Sequence, residues 1–215
     1  MAPVILSRTR QAIAAISSGP CADLLRPKGF KRAAPNFWRH ADDIYQSVSF
    51  QASQWGSADQ GSFTVNIGVS SPALYTAFTG RAFPKNPSTT LWPINQRIGA
   101  LIPNPHDLWW NIDAATDLDA IGRAVADTLA RYGLPFLDGL QTPPQFESAV
   151  LEGSGIPGLT EAQAIVVRAT LAAQQGKKDL AKSLLENAIE KYGGKPFETT
   201  VSRIAQELAP YLRDD

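Results

Sequence analysis

The clearest pattern along the chain is a strict alternation of apolar and polar residues between positions 63 and 70. The run reads Phe63, Thr64, Val65, Asn66, Ile67, Gly68, Val69, Ser70. Successive side chains of a β-strand point to opposite faces, so this run predicts a strand with one buried and one polar face. A second alternating run covers Ile44–Gln54, and its polar positions are Tyr45, Ser47, Ser49, Gln51 and Ser53.

Further short runs with strand character lie on either side of these two. The predicted strands are Phe30–His40 (interrupted near Pro35), Ile44–Gln54, the run through Phe63–Val69, Ile94–Ile102 and Trp109–Ile112. The first three are joined by turns of a few residues, which favours antiparallel pairing. We therefore predict an antiparallel sheet of four to five strands, with one face covered by helices and the other polar.

Helical periodicity appears before and after this sheet. Residues 7–18 and Pro20–Arg26 predict two short helices, separated by the Gly19-Pro20 break. Asp117 is expected to cap a helix that runs to about Tyr132. The segment Pro72–Pro93 carries four prolines and little periodicity, so it is predicted to be a long loop around the edge of the sheet.

After residue 141, the pattern of apolar residues predicts helices. Two helices with apolar faces, Thr160–Gln175 and Lys178–Tyr192, are predicted to form a hairpin around Gly176, and a final helix follows from about Phe197 to Leu212. The hairpin is typical of one tetratricopeptide-type unit, and a single such unit must pack on something else. We predict an α+β fold with two parts: a domain at 1–141, and a helical tail at 142–215 that packs on it.

Five blocks in this order resemble one protein family. They are GFKRAAPNFWRH, VSFQASQWGS, FTVNIGV, RIGALIP followed by a Trp-Trp pair, and YGLPFL. The chain is similar, over about residues 24–140, to the domain-of-unknown-function 4304 family, a family of bacterial proteins. The resemblance implies a helix, an antiparallel sheet, a further strand and a closing helix. It implies no reaction, substrate or cofactor.

Charge and cysteine content narrow the classes of function. Lys and Arg together number 20, as do Asp and Glu, so the formal charge is zero and there is no general attraction to nucleic acid or to anionic lipid. No apolar run approaches the roughly 18 residues of a membrane span. The single cysteine, Cys21, cannot form an internal disulfide and is typical of a reducing compartment. We expect a cytoplasmic protein that binds neither nucleic acid nor membranes.

The polar side of the sheet is the main candidate site. Amides, hydroxyls, an arginine and flanking tryptophans form a surface suited to an unknown protein or a small-molecule ligand. Its predicted members are Arg32, Arg39, Gln51, Ser53, Trp55, Asn66, Arg97, Trp109 and Trp110. The plain alternative is a solvated sheet face whose tryptophans belong to the core.

A hydrolase is the competing hypothesis. His40 and Asp43, with Arg39 beside them, supply residue types that such a site needs. However, the chain has no GxSxG nucleophile motif, no phosphate-binding glycine loop and no HxH or HxxxH pair. The sequence therefore predicts neither a metal site nor a cofactor, and it favours a non-catalytic binding module.

Overall fold

A six-stranded antiparallel sheet lies at the centre of the part of the chain that this computed structural model describes, residues 7–87, 94–151 and 159–212. The strands are β1 (Lys31–Ala33), β2 (Asn36–Ala41), β3 (Ile44–Ala52), β4 (Gly61–Ser70), β5 (Ile94–Arg97) and β6 (Trp110–Ile112). The α+β class and the antiparallel sheet predicted from sequence are thus confirmed.

The helices lie before, between and after these strands. They are α1 (Arg8–Ser18), α2 (Pro20–Leu25), α3 (Pro72–Thr79), α4 (Leu118–Thr128), α5 (Leu134–Asp138), α6 (Pro143–Leu151), α7 (Glu161–Gln174), α8 (Lys178–Tyr192) and α9 (Glu198–Leu212). A π-helical turn, Leu129–Gly133, joins α4 to α5. Within the described ranges, no helix combines the length and apolarity needed to span a lipid bilayer.

The sheet follows the order β1-β2-β3-β4-β5, and β6 also pairs with β4. One edge of β4 is occupied by β3 along residues 63–70, so β5 and β6 share the other edge. The sheet is therefore five strands wide, and β4 is paired on both edges at Phe63 and from Asn66 to Val69.

The apolar residues of β4 form the centre of the core. Phe63, Val65, Ile67 and Val69 are all fully buried, and α1 packs directly on β3 and β4. We call this side of the sheet the helix face and the other side the outer face. The inward positions predicted for β4 from its alternation are all buried, but Thr64, Gly68 and Ser70 on the opposite side of the strand are buried as well.

Two local predictions were wrong. Pro72–Thr79 forms helix α3 instead of a loop: Pro72 occupies the first turn, and the Ser71 hydroxyl accepts a hydrogen bond from the Leu74 N–H at 3.2 Å. Residues 88–93 of the same predicted loop lie outside the described residues. The strand predicted at Ile94–Ile102 ends at Arg97, because Ile98–Ala100 turns into a 3₁₀ helix.

The tail contacts the sheet domain through α3. The guanidinium of Arg203, on α9, donates hydrogen bonds to the carbonyl oxygens of Ala77 and Phe78 at the end of α3. Helices α7 and α8 pack on each other around a left-handed Gly176, as the sequence predicts for a hairpin. One apolar cluster contains buried residues of both the sheet and the tail. The boundary at 141/142 stays a prediction.

Cys21 is predicted to be chemically inert in the native protein. It lies on α2 with no exposed surface, and this burial raises the pKa of its thiol from 9.0 to about 12. The thiolate is the reactive form, so Ellman's reagent at pH 8 is expected to label Cys21 only after denaturant is added. Labelling of the native protein at the rate seen in denaturant would contradict this burial.

Candidate functional site on the outer face

Cross-strand pairing defines which residues share the outer face. Asn66 of β4 lies opposite Arg97 of β5 on one side, and opposite Ser49 of β3 on the other. Gln51 lies opposite Thr64 in the next outward-facing pair. Because directly opposed residues point to the same face, Gln51, Asn66 and Arg97 come together as the sequence predicts.

These side chains belong to one polar cluster, which we call the Arg97 cluster: Gln51, Asn66, Arg97, Asp107 and Trp109. The Arg97 guanidinium pairs with both carboxylate oxygens of Asp107, at 2.8 and 2.7 Å, and lies over the Trp109 ring at 4.9 Å from its centroid. The Asn66 amide donates to Gln51 Oε1 at 3.0 Å. The side chains of Arg97 and Asp107 are 39% and 56% exposed, so the cluster is open to solvent.

The pKa of Asp107 lies below its ordinary value. Hydrogen bonds from the Trp109 side chain and from Arg97 are the main causes, because both favour the charged carboxylate. The Asp107 carboxylate is therefore ionised, and able to pair with Arg97, at neutral pH.

A tight backbone contact positions Asp107 and Trp109. The loop after β5 returns across Gly99, whose carbonyl accepts a hydrogen bond from His106 N–H at 3.1 Å. A Cβ atom at position 99 would lie 2.1 Å from the His106 carbonyl oxygen, so only glycine permits this approach. The Thr64 hydroxyl also donates to the carbonyl of Leu108 at 2.8 Å, which ties the loop to β4.

Aromatic rings continue the outer face toward the β2–β3 turn. Trp38, His40 and Tyr45 stack on one another at centroid distances of 5.2–6.2 Å. Phe83 packs on Tyr45 at 4.6 Å, and the Lys31 ammonium lies 5.1 Å from the Trp38 centroid. This aromatic row was missed from the sequence. Its signal is the alternate spacing of Trp38 and His40, which places two rings on one face of a strand.

The outer face is less exposed than its polar composition predicts. Ser47, Thr64 and Ser70 are buried, and Thr64 and Ser70 have no exposed surface. A carboxylate at position 64 would therefore be buried beside the Leu108 carbonyl that Thr64 now binds. Along β3 and β4, the solvated part of this face is limited to the neighbourhood of the Arg97 cluster, and His40 of β2 is exposed beside the aromatic row.

The expectation that Arg32 and Arg39 share the polar face was wrong. Arg32 lies opposite Phe37, and Arg39 lies opposite Gln46, so both arginines are on the helix face. Arg39 is only 7% exposed. Its guanidinium binds Gln46 Oε1 at 2.7 Å, the Lys28 carbonyl at 3.1 Å and Asp138 at 2.6 Å.

Three other predicted members of the site lie elsewhere: Ser53 and the two rim tryptophans Trp55 and Trp110. Trp110 lies opposite Phe63, stacks on it at 5.6 Å and is buried in the core. Ser53 and Trp55 belong to the loop between β3 and β4, and Trp55 is 79% exposed. Both line a cleft that also contains Thr9 of α1, so they do not extend the Arg97 cluster.

The residues of the hydrolase hypothesis do not converge on one surface. His40 is exposed on the outer face, where it stacks on aromatic rings, whereas the neighbouring Arg39 points into the helix face. Asp43 lies in the β2–β3 turn and lines a cleft toward the tail. Among the described residues, no group of three or more His, Cys, Asp or Glu is arranged to hold a metal ion.

Comparison with known proteins gives a match at the level of a protein family. Neither the curated proteins nor the solved structures contain a significant match to this chain. A family model described as "Domain of unknown function (DUF4304)" matches residues 21–139. This stretch covers more than half of the chain and contains all six strands and the whole Arg97 cluster. The chain therefore belongs to the DUF4304 family.

Proposed function

We propose that this protein is a non-catalytic binding module that holds a protein or a small-molecule ligand on its outer face. The observation that carries the proposal is the Arg97 cluster, in which a half-exposed arginine is already held in one place by Asp107 and Trp109. Arginine and tryptophan are enriched among residues that dominate binding energy. Because the guanidinium is ordered before binding, less entropy is lost when a partner contacts it.

The residues around the cluster are more typical of a binding interface than of an active site. The Asn66 and Gln51 amides keep free hydrogen-bonding capacity, since one bond joins them and each amide offers donors and acceptors. The aromatic row supplies apolar contact area beside this polar centre. This combination of aromatic, arginine and amide groups is typical of the central part of protein interfaces.

The test is a triple variant, Gln51→Ala, Asn66→Ala and Arg97→Ala. We expect little loss of stability, because surface substitutions usually change unfolding free energy by no more than about 0.5 kcal/mol each. Capture of the partner from lysate of the cells that naturally produce the protein is expected to be lost, as measured by quantitative mass spectrometry. Each hydrogen-bonding group removed from a desolvated interface costs on the order of 1–3 kcal/mol.

The matched control is Arg123→Ala, Asn187→Ala and Gln206→Ala, which removes the same residue types from exposed helical positions. It should retain the partner. A partner held equally by both triple variants would refute the role of the Arg97 cluster, and a large drop in melting temperature of the first variant would show that its side chains serve the fold.

A further inference from the structure

A second cleft lies on the helix face, away from the Arg97 cluster. It opens between α1 and the β1–β2 edge of the sheet and has a volume of about 540 Å³. Ligand sites in proteins commonly span about 300–1,000 Å³. The cleft is therefore large enough for a small organic molecule.

The walls of this cleft are mostly apolar. Ile13 of α1 forms one side, Phe50 of β3 the other, and Pro35 closes the turn between β1 and β2. Ile13 is 5% exposed and belongs to the main core, so this wall is fixed by the packing of α1 on the sheet. An apolar wall of this kind favours a hydrocarbon chain or ring over a sugar or a nucleotide.

The only charged residues that line the cleft are two arginines, Arg10 and Arg32, and no acidic side chain lines it among the described residues. Both arginines are exposed. The described side-chain contacts of Arg32 consist of one long hydrogen bond to the Ser17 hydroxyl, at 3.4 Å. No ion pair within the described residues involves Arg10 or Arg32. Two uncompensated guanidinium groups beside an apolar cleft are complementary to an anion with an apolar body.

We propose that this cleft binds a small amphiphilic carboxylate, with the carboxylate at Arg10 and Arg32 and the apolar body against Ile13 and Phe50. The inference does not depend on the function proposed for the outer face. It also gives Arg32 a role as an anion-binding residue on the helix face, in place of the outer-face role that the sequence predicts.

The proposal can be tested by isothermal titration calorimetry with decanoate. Saturable binding to the wild-type protein is expected, with affinity for decanol at least tenfold lower because the alcohol carries no charge. The double variant Arg10→Gln, Arg32→Gln should weaken decanoate binding at least tenfold. The charge-matched control Arg26→Gln, Arg123→Gln changes two exposed arginines elsewhere and should leave the affinity within twofold of wild type.

Two substitutions to phenylalanine on α1 test whether decanoate binds in this cleft. Ala14 lines the cleft and is exposed, so Ala14→Phe should fill the space, abolish binding and leave the fold intact. Ala15→Phe places the same ring on an exposed neighbouring position of α1 that does not line the cleft, and it should bind decanoate normally. Trp55→Ala tests the adjoining cleft, which also contains Arg10, and should have no effect.

Three results would overturn the proposal. The first is no saturable decanoate binding to the wild type. The second is an equal loss of affinity in both double-arginine variants, which would indicate general charge attraction. The third is binding that Trp55→Ala removes and Ala14→Phe preserves. Decyl phosphate serves as the headgroup comparison: binding of the phosphate without binding of decanoate would refute the carboxylate assignment.

Discussion

Replacing Val65 by aspartate is expected to unfold the protein under conditions in which the wild type is stable. Val65 is fully buried on the helix face of β4, between neighbouring strands. Burial disfavours the charged carboxylate by about three pKa units, or on the order of 4 kcal/mol. The lost apolar contact adds about 2 kcal/mol. The total is comparable with the whole stability of a typical domain, about 5–15 kcal/mol.

The control for this prediction is Asn66→Asp, at the next position of the same strand. Asparagine and aspartate side chains have nearly the same shape, so this substitution adds a charge without changing the volume. Position 66 lies on the outer face, opposite Arg97. Urea denaturation followed by circular dichroism should show a folded Asn66→Asp protein and an unfolded Val65→Asp protein. A folded Val65→Asp protein beside an unfolded Asn66→Asp protein would mean that the two faces of β4 have been exchanged. Two equally stable variants would contradict the difference in burial between positions 65 and 66.

Replacing Arg39 by alanine is expected to cost about 2–4 kcal/mol of stability, because buried hydrogen-bonding groups would lose their partner. The Arg39 guanidinium donates hydrogen bonds to Gln46 Oε1, to the Lys28 carbonyl and to Asp138. It also lies over the Phe30 ring at 4.6 Å. Asp138 is about half exposed and Lys28 is exposed, so both regain water easily, and most of the loss is expected from the buried Gln46 Oε1.

The comparison for Arg39→Ala is Arg131→Ala, measured by the same urea titration. Arg131 pairs with Asp127 one helical turn away, and both side chains are more than half exposed. Such a surface pair contributes about 0.5 kcal/mol or less. If Arg39→Ala were no more destabilising than Arg131→Ala, the buried network around Arg39 would not contribute to folding as described.

The local pattern of apolar and polar residues was sufficient to predict the strands and helices that have strong periodicity. The alternation in β3 and β4 predicted both strands and the buried side of β4, because each side chain's face follows from its position in the strand. Helix α3 was missed because the four prolines of the segment Pro72–Pro93 suggested a loop. The Ser71-Pro72 pair is nevertheless a normal helix start, with a capping hydroxyl followed by proline in the first turn.

The candidate site was only partly predictable, for a geometric reason. The adjacent Trp109 and Trp110 point to opposite faces, so they cannot both flank one surface. Arg39 could not be assigned from sequence, because the interruption near Pro35 hides the phase of the strand and its partner Asp138 is 99 positions away. Distant pairings of this kind depend on the tertiary fold, and no local pattern contains them.

The Gln46 amide has a consequence for where other C-terminal segments can be joined to this chain. It donates to the carbonyl oxygens of Leu137 and Leu140, so β3 holds both ends of the turn that leads into the tail. A chimaera whose junction precedes Leu137 would leave a buried amide donor without an acceptor. A junction placed after Leu140 keeps that turn closed, and the foreign segment would begin from a fixed point and a fixed direction.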